Sequence, residues 1–228
     1  MKNYFSFVLL FFIASAYCQS GKVEYSIKSI DFTPKAGSKY SDLTSDLKTR
    51  GEKRKFILLF NSKKSKFSII KDLDIDDASK EAKLDKMASI RFGSIDTYFF
   101  DKIKNQTLKQ NEDGVLLKEN EQEWEITSEN KNIESYNCYK AILKLNYLAR
   151  DGGQKTKTVT AWFAPILPYG YGPKGYNGLP GLILELQDQE TTFLATKIEL
   201  QKKEIIISVP KGKAIDKNKY ARSMYQNK

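Results

Sequence analysis

Histidine is absent from all 228 residues. That removes Ser-His-Asp and Cys-His nucleophiles, the HExxH zinc site, His-ligated haem and a histidine pH switch. Cysteine is nearly absent too. Two thiols, Cys18 and Cys138, cannot build a zinc cluster by themselves. If Cys18 leaves with a signal peptide, Cys138 has no partner and no intrachain disulfide forms. The fold must then hold by its core. Without a histidine to activate it, Cys138 reads as a small buried hydrophobe rather than a reactive thiol. Beyond the N-terminus no apolar run approaches the ~20 residues of a spanning helix. Mean hydropathy is −0.52. No repeat of fixed period is visible, and no Pro/Ser-rich linker divides the chain.

The N-terminus carries an export pattern. Lys2 supplies the positive end, Tyr4 to Ile13 the apolar stretch, and Ala14-Ser15-Ala16 the small residues before a cut. Cleavage after Ala16 or after Cys18 both fit. Tyr17 argues against lipid modification of Cys18, where a small residue is wanted. The expected division is a signal peptide at 1–18, one β-rich domain at 19–210 and a basic polar tail at 211–228. Such a protein is exported, to the periplasm, the outer membrane or the medium. Net charge is +10. The basic residues are spread and interleaved with acids, as in Lys202-Lys203-Glu204, so a solvated surface is expected and no nucleic-acid partner.

Period-two alternation runs through the mature chain and predicts strands. Val23, Tyr25 and Ile27 alternate with polar neighbours. Phe56–Phe60 and Phe67–Ile70 flank a turn-like cluster and read as a hairpin. Ile90–Phe100, Val115–Leu117, Trp124–Ile126, Tyr139–Phe163 (turning at Asp151-Gly152-Gly153), Leu182–Leu186, Thr191–Leu200 and Glu204–Val209 are strand-like. Asp76–Ala88 is the best helix, with acids at its start and good helix formers within. Lys39–Arg50 is a loop or short exposed helix, and the tail is loose or weakly helical. Together these predict a mainly β protein: a single antiparallel, strongly twisted sheet or open barrel with one or two short helices.

Four of the six prolines fall between Pro165 and Pro180, among Gly170, Gly172, Gly175, Gly178 and Gly181. Such a stretch is neither helix nor central strand. It also holds Tyr169, Tyr171 and Tyr176 just after Trp162 and Phe163, so it is no polar linker. Within it Gly178-Leu179-Pro180-Gly181-Leu182-Ile183 spells the hexapeptide of the GLPGLI family, which this chain resembles. Trp162 with Pro165 and Pro168, Gly172-Pro173 before Tyr176, Tyr136 with Cys138, Lys140 and Ala141, and Gly21 to Tyr25 are similar to that family as well. The resemblance implies an exported protein of Bacteroidetes-type, hence Gram-negative, bacteria with a β-rich fold. It implies no catalytic residues and no cofactor.

Two roles are open for this loop. Exposed aromatics on a stiff segment bind with little entropy loss, which makes Trp162, Tyr169, Tyr171, Tyr176, Leu179 and Pro180 candidate binding residues. Alternatively Gly178 and Gly181 make tight turns, Pro180 fixes the backbone, and Leu179 and Ile183 plug the core. Elsewhere Asp72, Asp74 and Asp76 have the spacing of a calcium loop, but Asp77 and Lys83 replace its glycine and glutamate. Glu121, Glu123 and Glu125 share one side of an extended segment. No metal site is expected from either. The composition leaves an envelope protein that binds a protein partner or an apolar, lipid-like ligand on a curved sheet, or a hydrolase working through paired carboxylates.

Overall fold

The computed structural model describes residues 20–33, 39–71, 79–149 and 153–226. The signal segment 1–18, the Asp72, Asp74 and Asp76 cluster, and Asp151-Gly152 of the expected turn lie outside the described residues. In chain order the elements are β1 (Ser20–Ile30), α1 (Ser41–Glu52), β2 (Lys55–Phe60), β3 (Lys64–Ile69), α2 (Lys80–Phe92), β4 (Thr97–Asp101), β5 (Gln106–Gln110), β6 (Leu116–Lys118), β7 (Glu125–Ile133), β8 (Tyr136–Leu148), β9 (Gln154–Ala164), β10 (Leu182–Asp188), β11 (Thr191–Gln201), β12 (Ile215–Asp216) and α3 (Lys217–Gln226).

One sheet takes in all of these strands, in the order β12-β6-β5-β4-β3-β2-β1-β11-β10-β9-β8-β7. The expected mainly β architecture with few short helices forms, and the sheet does not close into a barrel. It is two meanders, β1 to β6 and β7 to β11, sewn together where β1 meets β11 from Ser20–Gln201 to Ile30–Thr191. One pairing departs from the antiparallel expectation: β12 lies parallel to β6.

Alternation places Val23, Tyr25, Phe56, Leu58, Phe60, Phe67, Leu143, Val159, Ala161, Phe163, Leu186 and Phe193 in one buried cluster. Phe56 stacks on Phe67 at 5.5 Å and meets Phe193 edge-on at 5.3 Å. The sheet curls around this cluster. Lys109 of β5 and Tyr147 of β8 are eight strand positions apart, ~38 Å in a flat sheet at ~4.8 Å per strand. Yet both line one cavity.

The helices settle several open points. The Ser-rich segment at 41–52 is helical, burying Leu47 and Gly51. Its Arg50 bonds Asp46 at 2.9 Å and reaches Asp85 at 3.0 Å and Glu81 at 2.5 Å on α2. The expected helix after the Asp cluster is α2, capped where the Ser79 side chain accepts from the Ala82 N–H. It runs on to Phe92, which is buried, so the strand expected from Ile90 starts only at Thr97. Glu204–Val209 is not a strand. Ile205 instead donates to the Ser20 hydroxyl and accepts from the Asn61 amide, so the segment runs along one end of the sheet. The tail folds into α3.

Candidate functional site

Residues 165–181 fold back on themselves inside the curl. Gly178 N–H donates to Gly170 O at 3.1 Å and Ile183 N–H to Tyr171 O at 3.0 Å, around a short helical turn at Pro173–Gly175. A buried loop is tolerated only if its polar groups find partners. Residues 119–124 provide them from outside. Gln122 donates to Gly175 O and accepts from the Asn177 N–H, and the Trp124 indole donates to Asn177 O at 2.8 Å. Glu121, Glu123 and Glu125 point outward between them and are exposed. Of these acids only Glu125 belongs to a strand.

Two glycines are geometrically required. Gly178 has φ +90°, a left-handed conformation that side chains disfavour. A Cβ on Gly181 would stand 2.3 Å from Ala164 O. Leu182, Ile183 and Leu179 are buried, while Pro180 is exposed. Tyr171 packs between Phe60 and Phe100 and donates to Asn61 O at 3.0 Å. Burial pushes its hydroxyl up to about 12. Tyr169 meets Phe60 at 4.7 Å, and Tyr176 meets Trp124 edge-on at 6.0 Å. The fold thus gathers Tyr169, Tyr171, Tyr176 and Leu179. Trp162 stands apart on the other face of β9, under the Lys131 ammonium at 4.2 Å. Lys131 and Lys28 bind Glu185 there.

Beside Tyr176 lies a feature no motif announces. Asp188 ends β10 on the core-facing register, its side chain only 2% exposed. Lys157 of β9 bonds one carboxylate oxygen at 2.7 Å, and Lys174 of the loop bonds the other at 2.6 Å. Burial alone would raise this carboxyl, but the two ammonium groups outweigh it and hold it far below the usual carboxylate range. Asp188 therefore stays ionised and cannot act as a general acid. Burial pulls the Lys157 ammonium down from the usual lysine value, in spite of Asp188. Lys157 also donates to the Tyr176 hydroxyl at 3.1 Å. Lys174 reaches Asp188 from a left-handed backbone, φ 52° and ψ 30°. These groups wall a cavity of about 210 Å³ with Tyr98, Lys109, Glu119, Asn146, Tyr147 and Lys217. The partners of Asp188 lie 31 and 14 residues away in sequence, so spacing carries no trace of the site.

At the opposite strand ends sit Ile206, Ile166 and Ile103, 91%, 75% and 74% exposed. They are the most exposed large apolar side chains among the described residues. Ile103 lies in the β4–β5 turn, Ile166 just after β9, and Ile206 beside the Ile205 anchor to Asn61. Cys138 is buried in the core, and burial pushes its thiol up to about 11. Among the described residues no group of three acids or thiols is placed to hold a metal ion. No described helix is long and apolar enough to cross a membrane.

A family model described as a protein of unknown function (Porph_ging) matches residues 149–185, the β9 strand and the loop with its hexapeptide. No curated protein matches this sequence. Among solved structures, that of PNGF-II in space group P21 is similar over 91% of this chain, with TM-score 0.50 and 16% identity. PNGF-II in space group C2 is similar over 92%, with TM-score 0.48 and 16% identity. This chain spans about a third of their length, 33% and 32%. At that identity the first likeness concerns the fold alone.

Proposed function

We propose that this chain is an exported cell-envelope protein of a Gram-negative bacterium, without catalysis of its own. It binds a protein partner through the strand ends that carry Ile103, Ile166 and Ile206. The observation behind this reading is that all three stand at the same end of the sheet. Apolar residues exposed singly are ordinary on any surface, and interaction sites carry exposed apolar surface together. Here the three largest exposures share one end of the sheet. The inner face, where an apolar or lipid-like ligand would lie in a curved sheet, is filled by the chain's own residues 165–181. The N-terminal pattern of Lys2, Tyr4–Ile13 and Ala14–Ala16 supports export.

The test places a photo-crosslinking residue at Ile166 in the native envelope, with Ile90 of α2, 57% exposed, as the control position. A discrete crosslinked partner at Ile166 and none at Ile90 is expected. The product should vanish when Ile103 and Ile206 are both serine, with the melting temperature kept. Equal products at both positions would overturn the reading. So would native mass spectrometry of residues 19–228 that retains a mass removable by organic solvent, which would restore an apolar cargo.

A further inference from the structure

We propose that the cavity between Lys157, Lys174 and Lys217 binds a small hydroxylated organic acid as its monoanion. The cavity carries excess positive charge. Lys109, Lys157, Lys174 and Lys217 line the cavity against Glu119 and Asp188, leaving +2 (4 − 2). Asp96, bonded to Lys109 at 2.8 Å from outside the wall, reduces this to +1 (2 − 1). One added negative charge balances the site.

Its lysines also have hydrogen-bonding capacity left over. An ammonium has three donors. Lys174 bonds Asp188, and Lys217 bonds Glu119 at 2.5 Å. Lys157 bonds Asp188 and Tyr176. Each keeps at least one donor for an incoming carboxylate, and charged donors make the stronger hydrogen bonds. Asp188, nine-tenths buried and more, fixes the Lys157 and Lys174 ammonium groups in advance of any ligand. Lys174 holds its place from a backbone conformation that residues with side chains rarely adopt. Such outliers persist where the surroundings impose them.

Lining and size narrow the ligand further. The rings of Tyr98, Tyr147 and Tyr176 and the amides of Asn120 and Asn146 complete the wall. They suit a molecule with a flat apolar side and several hydroxyls. The cavity, about 210 Å³, is worth about seven water volumes at ~30 Å³ each. That admits one sugar-sized acid. This site lies at the end of the sheet away from Ile103, Ile166 and Ile206, and does not depend on the partner reading.

Isothermal titration calorimetry of residues 19–228 with D-glucuronate, and with glucose as the uncharged counterpart, tests it. Glucuronate should bind and glucose should not. Binding should weaken as salt rises toward about 1 M, where the Debye length is ~3 Å. Lys217→Gln and Lys109→Gln, both on the rim, should each lower affinity by about tenfold through loss of one charged contact, with melting temperatures near the native value. Absence of glucuronate binding, equal binding of glucose, or native affinity in both variants would overturn the proposal.

Discussion

A carboxylate as enclosed as Asp188 is tolerated only because Lys157 and Lys174 each supply an ammonium group. Removing one side of such a pair leaves the other charges buried and uncompensated, so Asp188→Asn should cost about 3–5 kcal/mol at neutral pH. The pH dependence has a definite sign. The folded carboxyl lies far below its unfolded value. Its stabilisation is therefore complete above the unfolded value of ~3.9 and is lost as pH falls toward the folded one. In urea titrations from pH 6 downward, the gap between native and variant should shrink by about 1.4 kcal/mol per pH unit below pH ~4. Parallel curves would show that Asp188 contributes no ionised-state stability. None of this was legible in the sequence. Gln187-Asp188-Gln189 reads as a turn, because nothing local reveals that Lys157 and Lys174 will converge there. Cys138 was legible, since a lone thiol without histidine has one simple place to go.

Among the elements, the loop at 165–181 carries the sharpest contrasts. At Gly181 a Cβ would collide with backbone, Ala164 O at 2.3 Å, which no rotamer can relieve. At Gly178 the space is open and only the positive φ objects, a strain of about 1–2 kcal/mol for a residue with a side chain. Gly181→Ala should thus destabilise more than Gly178→Ala in chemical denaturation. Tyr171→Ala, which empties the space between Phe60 and Phe100, should cost about 3–5 kcal/mol. Reversal of the glycine order would mean that the loop does not pass so close to β9. The sequence announced this loop through its prolines and glycines, and the strands through their alternation. It misled at Glu204–Val209, where the short apolar run Ile205-Ile206-Ile207 reads as a strand. Such a run reports that side chains suit burial, and Ile207 is buried although Ile206 is not. It does not report whether a neighbouring strand is present, and here Ser20 and Asn61 take the backbone bonds of Ile205 instead. The Ser-rich 41–52 segment was ambiguous because it buries only Leu47 and Gly51 and is otherwise tied to α2 through Arg50.

For the whole molecule the question is whether the two meanders are separable. The strand order alone would allow it, since β1 to β6 and β7 to β11 meet only at the β1–β11 seam. The loop argues otherwise. It leaves β9 in the second meander, yet Tyr171 is buried against Phe60 and Phe100 of the first, and Asn177 donates to Thr107 on β5 at 2.8 Å. The Tyr25 hydroxyl of β1 returns the tie by donating to Ile183 O at 2.6 Å. Unfolding either meander would strip the core of the other, which is the condition for a cooperative transition. We therefore propose one folding unit, as expected for residues 19–210. Both tryptophans, Trp124 and Trp162, belong to the second half of the chain, so fluorescence reports that half while far-UV circular dichroism reports every strand. The two signals should trace one coincident urea transition. A fluorescence midpoint displaced from the dichroism midpoint would show that the seam opens first, and that the loop is too weakly held to lock the halves together.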